Sequence, residues 1–436
     1  MFEGAAFLPM LEGRTLSVRA DIRLASLVGL VRTVRFAGLT GSAGLTGVTG
    51  IPDAMIYLDN AATSFPKPKG VIDGVTRYLT EIGGNPGRAG HALAREASAL
   101  IDRTRRLLAD LLGNVKPSRI IFTPSTTVAL NMAMKGLLKS GDHVLTTSME
   151  HNSVLRPLNG LAKLGVSHSL IPCSSSGELD PADVLPLIRP HTRLIALVHA
   201  SNVTGTSMPV GEVGKMARER GILLLVDAAQ TMGKIAIDPE KLSIDLLAGP
   251  GHKGLLGPMG TGFLYVRPGL ELEPLWEGGT GTHSESLKQP STWPERFESG
   301  TCNAPGLAGL AEGIAEVQQL GLEAIAAHER LLVGILLDSL RQFPNIVIYG
   351  PRERSSCTGT VAFNVQELDC SEVAHILDTA YSIAVRSGLH CSPAAHRTIG
   401  TFPQGAVRVS VGPYNTEEEI HTLLAALSEI VRFRNR

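Results

Sequence analysis

The stretch "VGEVGKMARERGILLLVDAAQ" (residues 210–230) decides the fold class of this 436-residue chain. Its first half predicts a helix, and "ILLLV" (222–226) is a short, continuous apolar run that ends at Asp227. An apolar run of this length beside a helix indicates a strand that is buried on both faces. The stretch therefore predicts one helix and one interior strand of an α/β fold.

The same order of elements recurs on both sides of this stretch. "RIIFTPSTTVALNMAMKGLL" (119–138) and "HVLTTSMEHNSVLRPLNGLAKLG" (143–165) each predict a strand, a turn and a helix. "TRLIALVHASNVTGT" (192–206) predicts a strand that leads into a polar loop. Strands that alternate with helices indicate a mainly parallel sheet. Because ligands bind at the carboxyl ends of the strands in such sheets, the polar residues after each strand are expected to converge on one site.

The chain divides into three predicted parts. A large α/β domain is expected at 55–305 and a smaller α+β domain at 306–436, which begins with a long helical stretch (307–342). Residues 1–54 are expected to be an extension that is disordered or not native, with translation starting at Met55 in the second case. A transit peptide is the alternative, because this segment is rich in arginine, although it also contains acidic residues.

Composition excludes several classes of protein. Lys and Arg number 40, and Asp and Glu number 41, so no net positive field is expected to attract nucleic acid or an anionic membrane. No apolar run reaches the roughly 18 residues of a membrane span. The five cysteines are scattered without a CxxC pair, which predicts reduced thiols and a cytoplasmic location.

Two charged residues near the predicted strands indicate a cofactor. Asp227 ends the buried strand, and a buried carboxylate needs a cationic or hydrogen-bonding partner. Lys253 follows about one βα unit later, among the glycines of "LLAGPGHKGLLGPMGTGFLYV" (246–266). A surface loop is the ordinary place for an isolated lysine. Together, an aspartate for a ring nitrogen and a lysine for a Schiff base form the protein framework of pyridoxal 5'-phosphate chemistry.

The phosphate of such a cofactor needs a binding site for an anion. Ser125, Thr126 and Thr127 stand at the predicted start of a helix, where free N–H groups and the helix dipole favour anions. Simple capping of the helix is the alternative interpretation, but capping requires only one hydroxyl.

Several further phrases carry a family resemblance, and they are "YLDNAATSFPKP", "MEHNSVL", "SNVTGT", "VDAAQ", "GHKG", "FESGTCN" and "RSGLHC". In this order they resemble the class V aminotransferase-fold enzymes, and most closely the group of cysteine desulfurases and selenocysteine lyases. The resemblance covers about residues 55–436. It implies the pyridoxal phosphate-dependent transferase fold (fold-type I), with a mainly parallel sheet in the large domain.

The resemblance assigns roles residue by residue. The cofactor-binding residues that it implies are Ser125, Thr126, Thr127, His151, Asn202, Asp227, Gln230, His252, Lys253 and Thr301. The implied substrate-binding residues are Asn60, Asn202, Arg386 and Arg408. Catalysis is assigned to Lys253, Cys391 and His151, and no metal ligand is expected. One departure concerns the phosphate site, since Pro250 stands where the family often has a Ser or Thr hydroxyl.

The cysteine in "RSGLHCSPAAHRTIG" (386–400) admits three interpretations. Cys391 could bind zinc with His390 and His396, but no second pair of ligands completes the pattern. It could be a buried structural thiol. Alternatively, Arg386 and His390 are cations that lower its pKa and make it a nucleophile, and the resemblance favours this role.

The resemblance implies an enzyme that converts L-cysteine to L-alanine. Lys253 moves the α-proton, Cys391 accepts the sulfur as a persulfide, and an acceptor protein receives it for iron–sulfur cluster assembly. Thr301 would reach the phosphate of the neighbouring subunit, which implies a homodimer. The alternatives are a selenocysteine lyase acting on L-selenocysteine, another reaction of this fold (transamination, epimerisation or sulfinate elimination), and a non-catalytic scaffold.

Overall fold

The computed structural model describes residues 55–87, 90–282, 284–351, 353 and 358–434. The predictions for residues 1–54 lie outside the described residues. The strands are β1 (Ile56–Tyr57), β2 (Ile120–Thr123), β3 (His143–Thr147), β4 (Ser167–Ile171), β5 (Thr192–Val198), β6 (Leu223–Asp227), β7 (Leu246–Pro250), β8 (Gly262–Val266), β9 (Ile346–Tyr349), β10 (Thr360–Val365), β11 (Ile383–Ala384), β12 (Arg386–Gly388) and β13 (Ala406–Ser410). The α-helices are α1 (Lys69–Arg77), α2 (Ala92–Leu111), α3 (Thr126–Leu137), α4 (Asn152–Ala162), α5 (Val210–Glu219), α6 (Ala304–Leu320), α7 (Leu322–Leu340), α8 (Cys370–Tyr381), α9 (Pro393–Thr398) and α10 (Glu417–Arg434).

A seven-stranded sheet forms the centre of the larger part of the molecule. Its strand order is β2-β8-β7-β6-β5-β3-β4, and its strands run parallel except that β8 is antiparallel to both of its neighbours. The mainly parallel α/β sheet predicted from the sequence is therefore confirmed. Its central strands end at one edge, which brings the polar residues after β5, β6 and β7 close together.

Helices cover both faces of this sheet. In β5, Ile195 and Leu197 pack into a core with α2, α5 and α6. The alternate residues Leu194 and Ala196 pack on the other face with α3 and α4. Because successive strand side chains point to opposite faces, burial on both sides requires the continuous apolar runs seen in the sequence.

A second sheet has four antiparallel strands in the order β12-β13-β10-β9. It packs with α7, α8 and α10 in a separate core. Strand β1 pairs with β11, and Leu58 is buried in this same core, so the first described residues pack beside the C-terminal sheet. The division of the chain between residues 305 and 306 stays a prediction.

The long helical stretch expected at 307–342 is two helices rather than one. Gly321 separates α6 from α7 and has a φ of 84°. A φ in this range is incompatible with a right-handed helix and is readily adopted only by glycine.

Among the helices of the described ranges, none has the length and apolar character needed to cross a membrane.

Candidate active site

One cavity collects most of the residues that the sequence predicted to bind a cofactor. It lies at the carboxyl ends of the central strands and the N-terminal ends of α3 and α4. The predicted residues that line it are Ser125, Thr126, Thr127, His151, Asn202, Asp227, Gln230, His252 and Lys253. Residues from five separate segments of the chain therefore meet at one place, as the strand-end argument required.

Other predicted residues lie outside this cavity. Thr301 is exposed and lines a different cavity, beside Gly260 and Trp276. Cys391 is exposed and lines a third cavity, which shares His151 with the first one. Within this chain, Thr301 is thus not brought to the other predicted phosphate ligands.

Lys253 and Asp227 provide opposite charges on neighbouring strands. Asp227 is the last residue of β6, and Lys253 follows the end of the adjacent β7. Burial raises the pKa of Asp227, although an N–H donated by Ala229 at 2.9 Å and the charge of Lys253 act in the opposite direction. Burial lowers the pKa of Lys253 to about 8 against the attraction of Asp227. An appreciable fraction of the lysine is therefore neutral, and hence nucleophilic, near neutral pH.

The start of α3 has the donors that a phosphate requires. Ser125 caps the helix by accepting the N–H of Val128 at 3.3 Å, while the buried Thr126 Oγ1 has no partner in the described ranges. His252 Nδ1 is likewise buried and unpaired. The first N–H groups of a helix have no partners within it. Capping thus accounts for the Ser125 hydroxyl, and Thr127 Oγ1 lies 2.7 Å from Ser153 Oγ. The Thr126 hydroxyl and the first N–H groups of α3 remain available, so these residues fit a phosphate group.

The backbone beside Lys253 is held by residues from the start of the described chain. The carbonyl oxygen of His252 accepts hydrogen bonds from Thr63 Oγ1 at 3.0 Å, Ser64 Oγ at 3.2 Å and Lys67 Nζ at 2.9 Å. Burial lowers the pKa of Lys67 to about 8. Sequence reasoning missed this role, although all three donors belong to the quoted phrase "YLDNAATSFPKP". Pro250, which lacks the family's hydroxyl, lines the same cavity.

His151 is held in one tautomer at the start of α4. Its Nδ1 accepts the backbone N–H of Ser153 at 3.0 Å, so the neutral ring carries its proton on Nε2. Burial lowers the pKa of His151 to about 4, and the charge of Lys253 contributes in the same direction. The ring is therefore neutral at physiological pH and carries one N–H group, on Nε2.

Asn60, which was predicted to bind substrate, is hydrogen-bonded within the chain. Its Nδ2 donates to Ser410 O at 3.2 Å and to Asn415 Oδ1 at 3.1 Å, and its Oδ1 accepts the N–H of Phe65 at 3.3 Å. Because its polar atoms are bonded within the chain and its side chain is buried, Asn60 joins two distant segments, and its role in substrate binding stays a prediction.

Asp59 stands beside Asn60 in "YLDNAATSFPKP" and contacts Arg408, a role that the sequence did not predict. It accepts a hydrogen bond from Arg408 Nη2 at 2.5 Å, and Arg408 Nη1 donates to Asn202 O at 3.0 Å. Arg408 is buried and its Nε has no partner among the described residues. Arg386 lies directly opposite Arg408 in the β12–β13 pair, and no ion pair of the described chain involves its guanidinium. Asp59 therefore pairs with only one of these two cations.

The loop that carries Cys391 is fastened to the large sheet. Asn202 Nδ2 donates to His390 O at 2.8 Å, and the N–H of Asn152 donates to Cys391 O at 2.9 Å. Ser392 Oγ donates to Asn202 Oδ1 at 2.7 Å. His390 and Cys391 have φ angles of 50° and 59°, in the left-handed region that non-glycine residues seldom adopt. These contacts hold a strained turn with the thiol pointing to solvent.

His390 is not the cation that the sequence analysis expected beside Cys391. It is buried, and its Nδ1 lies 3.2 Å from Nε2 of His396, whose Nδ1 lies 2.7 Å from Thr401 Oγ1. Burial, followed by the charge of Arg408, lowers the pKa of His390 to about 2. The two rings are occupied with each other, and among the described residues no group of three ligands suited to a metal is present.

Glu150 is a buried carboxyl group that sequence reasoning passed over, although it stands in "MEHNSVL". Its Oε1 accepts hydrogen bonds from Thr147 Oγ1 at 2.6 Å and from the N–H of Val198 at 3.0 Å. Its Oε2 has no partner in the part of the chain that the structure describes. Burial raises the pKa of Glu150 to about 8, and the charge of Asp227 contributes to the increase. Glu150 is therefore mainly protonated at neutral pH.

This protonation predicts how stability depends on pH. In the folded chain Glu150 keeps its proton up to about pH 8, but in the unfolded chain only up to about 4.5. Its favourable contribution to the free energy of unfolding is thus complete below pH 4.5 and is lost as the pH rises towards 8, by about 1.4 kcal/mol per pH unit. Glu150→Gln keeps both accepted hydrogen bonds without the titration. We expect the unfolding midpoint of the variant to increase relative to that of the parent as the pH rises from 5 to 8. Glu219→Gln, an exposed control, should follow the parent, and a constant difference for Glu150→Gln would contradict the assignment.

Comparisons with known proteins bear on this arrangement. Residues 56–423 match the family model described as aminotransferase class-V. A probable cysteine desulfurase from Pyrococcus abyssi is 38% identical over 389 residues, which cover 87% of this chain and 94% of the relative. A cysteine desulfurase from Salmonella typhimurium is 35% identical over 388 residues, which cover 87% of this chain and 94% of the relative.

Solved structures agree with these relatives. The apo structure of a cysteine desulfurase from Thermococcus onnurineus NA1 superposes with a TM-score of 0.83 at 38% identity, covering 87% of this chain and 95% of that one. A cysteine desulfurase from Escherichia coli superposes with a TM-score of 0.80 at 28% identity, covering 87% of this chain and 96% of that one.

Proposed function

The chain belongs to the class V aminotransferase family, among its cysteine desulfurases, and we propose that it converts L-cysteine to L-alanine and transfers the sulfur to Cys391. The observation that carries this proposal is the placement of an exposed thiol beside the cavity that contains Lys253 and Asp227. The two cavities share His151, so a substrate held near Lys253 has a route to the thiol.

Pyridoxal 5'-phosphate is the cofactor that these residues suit. Asp227 would pair with the pyridine nitrogen, Lys253 would hold the aldehyde carbon, and the start of α3 with His252 would hold the phosphate. Asn202 and Gln230 complete the wall; Gln230 Nε2 donates to Ala61 O at 3.1 Å, which fixes its orientation. When bound, the cofactor supplies an electron sink for the charge that develops at the substrate α-carbon.

Lys253 would move the α-proton in this reaction, and His151 would donate a hydrogen bond. With a pKa of about 8, the free amine of Lys253 can take the α-proton of the substrate at neutral pH. His151 stays neutral, since its pKa is about 4, and its Nε2–H would be available to donate a hydrogen bond when substrate and cofactor are bound. Neither step requires a change in the fold.

The sulfur step uses Cys391 as the nucleophile. Its thiolate would attack the sulfur of the bound substrate, and the bond between that sulfur and the β-carbon would break. The electron pair of that bond would stay with the carbon fragment, for which a bound cofactor would supply an electron sink. A disulfide-like S–S bond forms on Cys391, and the remaining fragment takes up a proton and leaves as L-alanine. This is covalent catalysis in which the nucleophile retains the transferred group.

Arg386 and Arg408 would bind the substrate carboxylate. They lie opposite each other on β12 and β13, where like charges destabilise a strand pair unless an anion lies between them. Asp59 compensates for only one of the two. The unpaired guanidinium is therefore placed for a second carboxylate, which a planar guanidinium can bind through two hydrogen bonds.

Removing this cation is expected to weaken substrate binding. Arg386→Gln should lower kcat/KM for L-cysteine by about 10- to 100-fold, mainly through KM, because a hydrogen bond to a charged group is lost. Arg386→Lys should recover part of the loss, since it keeps the charge but not the fork of donors. Arg397→Gln, which removes an exposed guanidinium stacked on Phe402, is the control. An unchanged KM in Arg386→Gln would refute the carboxylate site.

The same proposal extends to the assembly. Because Thr301 is exposed and separate from the other phosphate ligands, we propose that it completes the phosphate site of a neighbouring subunit in a homodimer. The persulfide would pass to an acceptor protein for iron–sulfur cluster assembly, in a reducing compartment such as the cytoplasm.

The direct test is the release of alanine and sulfide by the purified holoenzyme, with L-cysteine and L-selenocysteine supplied in parallel. Turnover of L-cysteine with equal amounts of alanine and sulfur released supports the proposal. Turnover of L-selenocysteine alone would identify a selenocysteine lyase. Formation of pyruvate or an exchanged amino group instead of alanine would point to another reaction of this fold.

A further inference from the structure

The cavity beside Cys391 extends beyond the part that the proposed reaction uses. It lies between α3 and α4, has a volume of about 490 Å³ and is lined by Cys391, Lys135 and Arg156 among others. This volume falls in the range of small-molecule sites, roughly 300–1,000 Å³. The cavity adjoins the one that contains Lys253, with which it shares Thr127, His151 and Ser153.

The cavity carries a local positive charge that the chain as a whole lacks. Lys135 and Arg156 are exposed, and neither has a hydrogen bond or ion pair to another described residue. The lining contains no Asp or Glu within the described ranges, and His151 is neutral there. The overall composition is balanced, with 40 basic and 41 acidic residues. Two unpaired cations therefore face one cavity without a counter-charge.

The ordinary explanations account for these cations only in part. Lys135 stands in the last turn of α3, where a cation interacts favourably with the helix dipole. Arg156 stands in the first half of α4, where the dipole gives no such benefit. Single exposed cations need no partner, but two of them that line one cavity with an exposed thiol, and with no carboxylate among the described lining residues, favour the binding of an anion.

We propose that this cavity binds a small thiol that carries two carboxylates, and that this thiol removes the sulfur from Cys391. The inference rests on the proposed function for the origin of that sulfur. The two carboxylates would pair with Lys135 and Arg156, which brings the thiol of the ligand to the wall formed by Cys391. Such pairing raises the local concentration of an anionic ligand at the thiol.

The transfer step balances without another reagent. The thiolate of the ligand attacks the outer sulfur of the Cys391 persulfide, and the bond between the two persulfide sulfurs breaks. Cys391 leaves as a thiolate, and the ligand leaves as a persulfide with the outer sulfur attached. The step is a thiol exchange through which the sulfur is passed on with no net oxidation or reduction.

The site can be tested through the reactivity of Cys391, without any turnover of cysteine. The probes are two disulfides, the dianionic 5,5'-dithiobis(2-nitrobenzoate) and the uncharged 4,4'-dithiodipyridine. Both are applied to the holoenzyme. The Cys391→Ser variant gives the background reaction of the other cysteines. The double variant Lys135→Gln, Arg156→Gln is compared with Lys139→Gln, Lys163→Gln, which removes two exposed lysines that do not line the cavity.

We expect the double variant to react about tenfold more slowly with the dianionic disulfide and within twofold of the parent with the uncharged one. Succinate, a dicarboxylate without a thiol, should protect Cys391 of the parent in a saturable way and should not protect the double variant. The lysine control should behave as the parent does. Equal effects on both disulfides, or no protection by succinate, would overturn the site.

The transfer step has a separate readout. After one turnover with L-cysteine, mercaptosuccinate should remove the sulfur from the parent faster than 2-mercaptoethanol does, and the double variant should lose this preference. No preference in the parent overturns the transfer step. If no alanine is formed in that single turnover, the proposed function fails, and the sulfur-transfer step fails with it. If the same preparation still reacts faster with the dianionic disulfide than the double variant does, the anion-binding site beside Cys391 remains supported.

Discussion

Cys391→Ala is expected to abolish sulfur transfer from L-cysteine while the cofactor remains bound. The thiol is exposed, and its loop is held through its backbone and Ser392 rather than through the cysteine side chain. Removing the side chain therefore leaves the loop in place but removes the nucleophile. We expect a loss of alanine formation of at least about 10³-fold, since a covalent nucleophile has no substitute in the site.

The measurement is alanine release from L-cysteine, with the visible absorption of the bound cofactor recorded on the same sample. Cys302→Ala is the control, because Cys302 is half-buried near Thr301 and lies outside the proposed reaction. L-Selenocysteine should be less sensitive to Cys391→Ala, because selenide is the better leaving group. Desulfurase activity that persists in Cys391→Ala would remove this residue from the mechanism.

Lys253→Ala is expected to remove both the covalent attachment of the cofactor and the turnover. The residue is the amine proposed to hold the aldehyde carbon and to move the α-proton, so both functions disappear together. We expect a fall in kcat of about 10⁴-fold or more. The phosphate donors of α3 and the Asp227 carboxylate remain, so weaker, non-covalent binding of the cofactor should persist.

Borohydride reduction followed by peptide mass analysis tests this assignment. In the parent, the mass of the reduced cofactor should be found on the peptide that contains Lys253. Lys67 is the informative comparison, because its amine is also partly buried with a pKa of about 8 and lies against the His252 carbonyl. A label on Lys67, or an unchanged absorption spectrum in Lys253→Ala, would show that the attachment point is elsewhere.

The central sheet was predictable because its burial leaves a direct pattern in the sequence. A strand covered on both faces, such as β6, must be apolar at every position, and the polar residue that follows marks its end. The break at Gly321 was not predictable in the same way. The apolar pattern continues from α6 into α7, so only the backbone conformation separates the two helices.

The sequence predicted which residues meet in the candidate cavity, while their roles stay predictions. Lys253, Asp227 and His151 stand at the ends of strands, and that position alone directs them to one edge of the sheet. Hydrogen-bonding partners were harder to predict. In "YLDNAATSFPKP" the sequence analysis chose Asn60, yet Asn60 is bonded within the chain and Asp59 pairs with Arg408, which is 349 positions away.

The sequence by itself determined the fold class, the family and the chemical groups available, because these depend on local pattern and on which residues occur in which order. Only the tertiary structure decided which groups are charged and which remain free. Burial makes His390 neutral and keeps Glu150 protonated, and distant partners bond Asn60 while leaving Lys135 and Arg156 open beside Cys391. Protonation and pairing depend on the solvent and neighbours that surround an atom, and those surroundings exist only when segments far apart in the chain have packed together.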